Sequence, residues 1–405
     1  MKVLFPFAYY YPETCAGLYL VENVMAQAAG QGIESLMTVP TPTRNVPSNA
    51  KWERVELQHN GKTTIRRFHL YGEGKNPILR ALRYLLCEII QTGNCLFRCY
   101  DVAFIDSTPP IQGLKMPLIK WFRNKPIVYN AQDIFPDSLV GTGLTKENSI
   151  IWKIGRIVEN ITYKYSDKII VISQDFKKNL LAKGVPEDKI VVVYNWVDEE
   201  AVKHVDREKN ILFDRYGLDR SKFYITYSGN IGLTQNMDML LEVAKELEAE
   251  PEIQFVLIGE GAYKNRVKEI IAERDISNVT LLPFQPYEEI SHVFSLGDVG
   301  LVISKPGVGE NSVPSKTWSI LSASRPVLAN FDENELQTIV NENQCGIFTK
   351  AGDKEAFKQA ILELYRDKKR CERLGRNGRE FILKNLTRAV GTQKYVDVIK
   401  SFERR

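Results

Sequence analysis

Short apolar runs rich in β-branched residues alternate with helical stretches along the whole chain, and this alternation limits the possible folds more than any other feature. The first half contains the runs KVLFPF, SLMTVP, VAFID, PIVYNA, KIIVIS and KIVVVYN, and the second half contains FYITYSG, IQFVLIG, NVTLLPF, VGLVIS, RPVLANF and CGIFT. Amphipathic segments such as MDMLLEVAKELEAE separate them. Continuous apolar strands separated by helices are typical of parallel sheets that are covered on both faces. The sequence therefore predicts an α/β protein with two Rossmann-like units in series.

The length of the chain supports two domains, because 405 residues are too many for one ordinary core. The charged segment 204–221 predicts the boundary, with a first domain over 1–203 and a second over 222–386. The last segment, 387–405, is predicted to be a helix that packs back on the first domain. Ligands of doubly wound sheets bind at the carboxyl ends of the strands, so we expect two domains facing across a cleft that holds the site.

Composition excludes several classes of partner. The net charge of +4, from 54 basic and 50 acidic residues, makes a nucleic acid partner improbable. Six cysteines without a CxxC pair and four histidines without an HExxH pattern give no metal centre, and reduced thiols are typical of a cytoplasmic protein. The N-terminal run MKVLFPFAYYYPE lacks the features of a secretory signal and is predicted to be the first strand. No run approaches the ~20 apolar residues of a membrane span.

Glycine and hydroxyl residues follow three strands of the second half, at Ser228-Gly229-Asn230, at Gly259 and Gly261, and at Ser304-Lys305. Free backbone N–H groups in such turns bind anions, and lysine adds a point charge suited to phosphate. Two simpler interpretations exist: a lone glycine turn is often only a turn, and Ser315 in the stretch VPSK has the position of a helix N-cap. Lys264 replaces the third glycine of a dinucleotide fingerprint. The convergence of three turns with Lys305 and Lys316 favours a phosphate site.

Longer stretches of both halves are similar to a known family. The stretches YSGNIGLTQNMDMLLEVAKEL, FVLIGEGAYKNRVKEI, VTLLPFQPYEEISHVFSLGDVGLVIS and VPSKTWSILSASRPVLA resemble the donor-binding domain of retaining GT-B glycosyltransferases of family 4. The first half resembles the same family through YYPETCAGLYLVENVMAQAAGQG, YNAQDIFPDS and DKIIVISQDFKKNLLAKGVPEDKIVVVYNWVD. The similarity spans nearly the whole chain. It is greatest to the bacterial branch that builds capsule, O-antigen or exopolysaccharide units, including N-acetylfucosamine transferases.

The family's acidic motif is altered in this chain. Many members carry a Glu, seven residues and a second Glu that holds the nucleotide ribose, and Ser319 stands at the position of the second. Asn311 stands at the first position, with Glu310 one residue earlier. The resemblance therefore implies Glu310 near the donor sugar. Glu335, which follows the RPVLA strand, is the candidate for the ribose contact.

The family's basic pair is also missing. Many members have an Arg and a Lys after the strand that resembles YSGN, and this chain has Asn230 and the uncharged stretch Gln235-Asn236 there. The charge that offsets a diphosphate is therefore expected from Lys305 and Lys316. In the first half, Gln132 replaces a His of many relatives, which leaves Asp133 as the polar group expected to face the reacting carbon.

The resemblance implies a transferase without a metal or other cofactor. The catalytic residues that it implies are Asp133, Glu310 and Lys316. The donor-binding residues that it implies are Gly17, Gly229, Asn230, Gly261, Phe284, Lys305, Gly309, Ser315, Ser319 and Glu335. The expected reaction moves a sugar, such as an N-acetylated amino sugar, from a UDP-sugar to a lipid-linked (polyprenyl-diphosphate) sugar with retention, and we favour front-face attack. The alternatives are a GT-B nucleotide-sugar epimerase and an inactive nucleotide-sugar-binding protein.

Two segments of the first half predict attachment to the inner face of the cytoplasmic membrane. One segment has Leu79, Leu82, Leu86 and Ile90 at helical spacing, with Arg80 and Arg83 offset. The other segment surrounds Trp121 and Phe122 with Lys115, Lys120, Arg123 and Lys125. Basic and aromatic residues beside an apolar stripe suit an anionic bilayer surface. The alternative is an ordinary core-facing helix with a solvated face.

Overall fold

The computed structural model describes residues 1–13, 17–43, 46–47, 50–72, 76–141, 145–309 and 313–403. The chain divides into two compact units. The first unit comprises Met1–Tyr194 and Gly391–Arg405, and the second unit comprises Asn195–Val390.

Strands and helices alternate in both units. The strands are β1 Lys2–Pro6, β2 Glu34–Pro40, β3 Val55–Gln58, β4 Thr63–Phe68, β5 Val102–Asp106, β6 Ile127–Ala131, β7 Lys168–Val171, β8 Ile190–Val192, β9 Phe223–Ser228, β10 Ile253–Ile258, β11 Val279–Leu282, β12 Val299–Ile303, β13 Val327–Phe331 and β14 Gly346–Lys350. The helices are α1 Leu18–Gly30, α2 Pro77–Phe97, α3 Met116–Arg123, α4 Asp137–Gly141, α5 Ile150–Tyr165, α6 Gln174–Ala182, α7 Ile211–Tyr216, α8 Met237–Glu246, α9 Lys264–Glu273, α10 Ile290–Ser295, α11 Lys316–Ser322, α12 Glu335–Glu342, α13 Lys354–Arg366, α14 Lys368–Asn385 and α15 Arg388–Lys400.

The sheet of the second unit has the strand order β11-β10-β9-β12-β13-β14, and all of its strand pairs are parallel. If the six strands are numbered 1 to 6 along the chain, their order in the sheet is 3-2-1-4-5-6, the arrangement of a doubly wound dinucleotide-binding sheet. Alternate residues of β9 face opposite sides: Ile225 and Tyr227 join one apolar cluster, and Tyr224 joins another. Burial on both faces explains why these strands are continuous apolar runs. The order reverses between β9 and β12, where such sheets bind ligands.

The sheet of the first unit has the order β3-β4-β2-β1-β5-β6-β7-β8 and is parallel except for the hairpin of β3 with β4. This hairpin was not predicted from the sequence. In β4 the buried residues Thr63, Ile65 and Arg67 alternate with more exposed ones, and β3 is an edge strand. A strand with one exposed face shows no continuous apolar run, so the pattern that revealed the other strands is absent here.

The boundary between the units lies at Tyr194–Asn195, before the predicted boundary at residue 203. Hydrogen bonds explain the difference. The backbone N–H of Val197 donates to the carbonyl of Leu386 at 3.2 Å, and the hydroxyl of Ser322 donates to the carbonyl of Val202 at 2.6 Å. The segment 195–203 is therefore held by the second unit. The residues of α15 from Gly391 onward belong to the first unit.

The structure corrects three details of the predicted membrane segments. On α2, Leu86 and Ile90 pack against buried residues of the first unit, and the exposed stripe consists of Leu79, Leu82, Leu85 and Ile89 instead. Arg83 is also buried, where its Nε donates to the carbonyl of Tyr71 at 3.0 Å. Apolar residues occur on both sides of α2, so helical spacing alone did not show which stripe faces inward.

Lys115 does not contribute to a surface charge. It is buried, and its Nζ donates to Glu88 Oε2 at 2.9 Å and to Gln112 Oε1 at 2.8 Å. A buried lysine needs such partners because desolvation penalises an isolated charge. Among the described residues, no helix is long and apolar enough to cross a bilayer.

Candidate functional site

A lysine lies at the point where the strand order of the second sheet reverses. Lys316 is the first residue of α11, and its Nζ lies 3.8 Å from the ring centroid of Tyr227 in β9. The same Nζ is 3.2 Å from the point that a Cβ on Gly229 would occupy. Gly229 follows β9 directly, with φ at +136°, a conformation that favours glycine. The absence of a side chain at Gly229 leaves room for the ammonium group of Lys316.

The charge of Lys316 has no counterion in the described part of the chain. Neither a hydrogen bond nor an ion pair connects its Nζ to a described residue, although the electron-rich face of Tyr227 lies against it. Burial lowers the pKa of Lys316 from 10.5 to about 7, because desolvation penalises the charged form. A desolvated ammonium that no described carboxylate neutralises is a candidate site for a bound anion.

Two buried hydroxyl groups in the same part of the second unit have no hydrogen-bond partner among the described residues. Ser304 directly follows β12, and Thr317 follows Lys316 in α11. The Oγ of Ser304 and the Oγ1 of Thr317 are these two buried atoms. An unsatisfied buried polar atom costs about 1–3 kcal/mol, so such atoms usually have a partner. A polar ligand at the end of β12 would give Ser304 that partner.

Glycines bring the ends of β9 and β10 close together. A Cβ on Gly259 would lie 1.9 Å from the carbonyl oxygen of Gly229. A Cβ on Gly261 would lie 2.3 Å from the carbonyl oxygen of Ile231 and 2.6 Å from Asn230 Oδ1. Only glycine fits at both positions without moving the neighbouring backbone. The predicted glycines Gly229 and Gly261 are therefore brought together with Asn230, which is exposed.

Lys305 is the second predicted cation, and it lies at the end of β12. Its Nζ is 5.6 Å from the ring centroid of Tyr263, whose hydroxyl donates to the carboxylate of Asp238 at 2.9–3.0 Å. Its backbone N–H donates to the carbonyl of Thr234 at 2.8 Å. Lys305 therefore lies on the same strand end as Ser304.

The loop after Lys305 is held by a carboxylate. Asp332 accepts hydrogen bonds from the backbone N–H groups of Gly307 at 2.9 Å and of Gly309 at 2.7 Å. A Cβ on Gly309 would lie 2.4 Å from the ring of Phe331, which requires glycine there. Because Asp332 accepts from both N–H groups, these two amides are engaged within the chain, including that of Gly309, which the resemblance implies as a donor-binding residue.

The other predicted donor-site residues of the second unit have varied surroundings. Ser315 is exposed, and its side chain does not cap α11, so the N-cap interpretation fails. Ser319 is partly buried within α11, and Glu335 is buried as the first residue of α12. Phe284, after β11, is exposed. Glu310 lies outside the described residues.

The first unit contains the remaining predicted residues. Gly17 precedes α1 with φ at +82°, in the left-handed region that glycine adopts readily. Asp133 is exposed after β6, and its Oδ2 accepts a hydrogen bond from the hydroxyl of Ser138 at 3.0 Å.

Sequence reasoning missed Asp106, at the end of β5, whose Oδ1 accepts a hydrogen bond from Asn130 Nδ2 at 2.9 Å. Burial raises the pKa of Asp106 to about 6.

Tyr227 and Asp332 were also missed. Tyr227 supports Lys316, and its hydroxyl donates to the carbonyl of Asn230 at 2.6 Å. Within the sequence, Tyr227 looks like one more apolar residue of a buried strand, so nothing marks its role. Asp332 did carry a signal, since it follows strand β13 directly, as the predicted turns follow β9 and β12. Within the described ranges, no group of three His, Cys, Asp or Glu side chains could hold a metal ion.

Two family models match the chain, one in each half. The model described as Glycosyltransferase Family 4 matches residues 20–201, and the model described as Glycosyl transferases group 1 matches residues 208–381. The chain belongs to the glycosyltransferases. Together, the two models match most of this glycosyltransferase. The range matched by the second model, 208–381, contains the ends of β9, β10 and β12 together with Lys316.

Named relatives are similar over most of their length. The glycosyltransferase is 29% identical over 333 residues to the putative colanic acid biosynthesis glycosyl transferase WcaI of Escherichia coli (strain K12), which covers 80% of this chain and 81% of WcaI. It is 25% identical over 305 residues to the probable glycosyltransferase WbjE of Pseudomonas aeruginosa, with 74% of each chain covered.

A solved structure shares the fold. The crystal structure of HepE from Anabaena in complex with UDP matches with a TM-score of 0.73 and 15% identity, over 99% of this chain and 100% of HepE. At this identity the likeness concerns the fold alone. Together with the two parallel sheets, it confirms the predicted GT-B class.

Proposed function

We propose that this glycosyltransferase moves a sugar from a UDP-sugar to a lipid-linked sugar acceptor during the synthesis of a bacterial surface polysaccharide. WcaI is named for colanic acid biosynthesis, which supports a role in polysaccharide synthesis. HepE binds UDP in its crystal structure, which supports a UDP-sugar as the donor. The donor sugar that we propose is an N-acetylated amino sugar, in keeping with the resemblance to N-acetylfucosamine transferases. The acceptor that we propose carries a polyprenyl diphosphate, and the proposed place of action is the inner face of the cytoplasmic membrane.

The observation that carries the proposal is the charge of Lys316 at the switch point of the second sheet, which no described residue pairs. In glycosyl transfer the bond between the sugar and the diphosphate breaks, and the leaving diphosphate gains negative charge. A cation fixed where that charge grows stabilises the transition state more than the ground state. Lys316 is such a cation, with the glycine-lined ends of β9 and β10 beside it. Lys305, at the end of β12, is the proposed second contact to the diphosphate.

The remaining predicted residues receive roles in the same proposal. Asp133 is proposed to face the reacting carbon from the acceptor side, and Glu310 to contact the donor sugar. Glu335 is proposed to hold the ribose, since Ser319 has no carboxylate. Front-face attack, in which the leaving phosphate accepts the proton of the acceptor hydroxyl, retains the anomeric configuration and needs no carboxylate nucleophile. The proposed reaction uses no metal ion.

The direct test incubates the protein with radiolabelled UDP-sugars, including UDP-N-acetylhexosamines, and a short-chain polyprenyl-diphosphate sugar. We expect label in the acceptor and release of UDP. An altered free nucleotide sugar without label in the acceptor would favour an epimerase. Binding of UDP without any turnover would favour an inactive nucleotide-sugar-binding protein.

Transfer should persist when EDTA is present in excess. Lysine side chains in place of a metal ion offset the diphosphate charge, so chelation removes nothing that the proposed reaction needs. The measurement compares initial rates with and without EDTA in protein that was first dialysed against the chelator. A rate that is lost with EDTA and returns with Mg²⁺ would contradict the metal-free reaction.

The affinity for UDP should depend on pH through Lys316. Below pH 7 this lysine is already protonated, whereas above pH 7 binding of the diphosphate must draw a proton onto it. Linkage then weakens UDP binding by up to about tenfold per pH unit above 7. Calorimetry from pH 6 to pH 9 measures this slope. The same series with Lys316→Met removes the contribution of UDP's own titration, and an equal slope in both proteins would sink the role of Lys316.

A further inference from the structure

Helix α5 of the first unit has apolar residues on two faces. One face is buried in the unit and includes Gly155, Val158 and Tyr163. The other face carries a row of four isoleucines whose exposed fractions lie between 57% and 77%, namely Ile150, Ile151, Ile154 and Ile157. No described part of the chain covers this isoleucine row. Four such neighbours on one helix form an exposed patch of the kind that marks an interaction surface.

The isoleucine row continues onto neighbouring helices of the same unit. Trp121 and Phe122 of α3 are 67% and 71% exposed, and the ring of Trp121 lies 6.0 Å from that of Tyr165 at the end of α5. Helix α3 also contacts α2. Helix α2 adds an exposed stripe of Leu79, Leu82, Leu85 and Ile89. We call these ten exposed residues of α2, α3 and α5 the apolar face.

The helices that bear the apolar face expose no carboxylate. Their sequences contain only two acidic residues, and both are buried in ion pairs. Glu88 accepts from Lys115, and Glu159 accepts from Lys183 at 2.7 Å. On α5, Lys153 and Lys164 are exposed beside the apolar residues. The surface is therefore apolar and positively charged.

Helix α13 of the second unit has a different charge distribution. On α13 of the second unit, Lys354 and Lys358 form ion pairs with Glu246, and Lys358 also pairs with Glu355 of the same helix. Mixed charge of that kind is usual for a solvated helix face. The apolar face has large hydrophobic residues in place of the acidic partners.

We infer that the apolar face docks on an anionic lipid bilayer, with the isoleucine row of α5 inserted between the headgroups. Burial of isoleucine and aromatic side chains at the acyl boundary supplies the apolar part of the binding energy. Lys153 and Lys164 lie at the rim of the row, where lysine contacts anionic headgroups while its aliphatic stem stays in the apolar layer. A second copy of the chain is a poorer partner, because an isologous contact would bring the same cations against each other.

This inference deepens the proposed function, since a lipid-linked acceptor lies in such a membrane. The reason for docking rests on the proposed function, whereas the surface that docks is argued from the exposed residues alone. It assigns the contact to α5, which the sequence patterns did not mark, and on α2 it replaces the predicted Leu86 and Ile90 by Leu85 and Ile89. The apolar face is formed within the first unit, whereas the proposed diphosphate site lies in the second. The two can therefore be tested with separate substitutions.

The test is sedimentation of the full chain with vesicles of phosphatidylethanolamine and phosphatidylglycerol. We expect the wild type to sediment with these vesicles, to bind less to phosphatidylcholine alone, and to be released by high salt. The double variant Ile154→Asp/Ile157→Asp should bind at least about tenfold more weakly, because an acid cannot enter the acyl boundary and repels anionic headgroups. The milder variant Ile154→Ser/Ile157→Ser should also bind less, which keeps the test valid if the acidic variant folds poorly.

The matched control is Leu233→Asp/Leu383→Asp, which changes two exposed leucines of the second unit and should bind vesicles like the wild type. UDP affinity, measured by calorimetry without vesicles, should be equal in the wild type and the isoleucine variants. Failure of the wild type to sediment, or equal loss in the control, would overturn the inference while leaving UDP binding and sugar transfer intact. Conversion of a dimer to a monomer by the isoleucine substitutions, without vesicle binding, would overturn it in favour of a second copy.

Discussion

Replacing Lys316 by methionine should lower kcat for sugar transfer by at least about 100-fold and leave the protein at least as stable as the wild type. The loss follows from removing the cation that stabilises the leaving diphosphate. The unchanged or higher stability follows from the lowered pKa of Lys316. Burial of its ammonium group costs free energy in the folded state, because no described residue forms an ion pair or a hydrogen bond with it. A residue that is costly for folding and essential for turnover is typical of a functional site.

The pH dependence of that stability gain has a definite sign. The pKa of Lys316 is about 7 in the folded state and near 10.5 in the unfolded state, so the unfolded state binds more protons between these values. The wild type therefore gains stability as the pH rises from 7 towards 10, and the advantage of Lys316→Met shrinks over the same range. Thermal unfolding at pH 7 and pH 9 measures this difference.

The matched control is Lys350→Met, the same substitution at an exposed position of the second unit. It should change neither kcat nor Tm by much. If Lys316→Met lowers Tm by several degrees at pH 7 and retains wild-type turnover, Lys316 is a structural residue and the proposed catalytic role is wrong.

Replacing Gly259 by alanine should cost about 3 kcal/mol of stability and weaken UDP binding at least about tenfold, since the new methyl group overlaps a neighbouring strand end. Its Cβ would lie 1.9 Å from the carbonyl oxygen of Gly229, and the φ of +150° at Gly259 adds strain for any other residue. Relief of this overlap must separate the ends of β9 and β10 and shift Gly229 away from Lys316. Chemical denaturation and UDP calorimetry measure the two effects.

Gly30→Ala is the control for the loss of a glycine. Gly30 ends α1, and an added Cβ there meets no atom within 4 Å. This variant should be neutral or up to about 1 kcal/mol more stable, because alanine is favoured over glycine in a helix. Equal stability of Gly259→Ala and Gly30→Ala would show that the ends of β9 and β10 tolerate a side chain, contrary to the geometry.

Continuous apolar runs were sufficient to predict the architecture, because strands that are buried on both faces are apolar along their whole length. The same reasoning missed β3 and β4, which show one face to solvent. It also misplaced the unit boundary, since hydrogen bonds such as that from Ser322 to Val202 depend on residues far apart in the chain.

The candidate site was predictable where it depends on strand ends. Gly229, Lys305 and Gly261 lie within three residues of a strand end, and parallel strands bring their carboxyl ends to one edge. The contact between Lys316 and Tyr227 was not predictable, because it joins a helix start to a strand that is distant in sequence. Likewise, only the folded chain shows that Asp332 occupies the amides of Gly307 and Gly309.

The last helix affects how the chain acquires its structure during synthesis. Tyr395 of α15 is buried in the first unit, where its hydroxyl donates to Asn130 Oδ1 at 2.9 Å and its ring lies 6.0 Å from that of Phe104. A ribosome synthesises most of α15 only after it has synthesised the whole second unit. The second unit, which is continuous in sequence, can therefore fold during translation. The first unit obtains α15 only after the second unit has been synthesised.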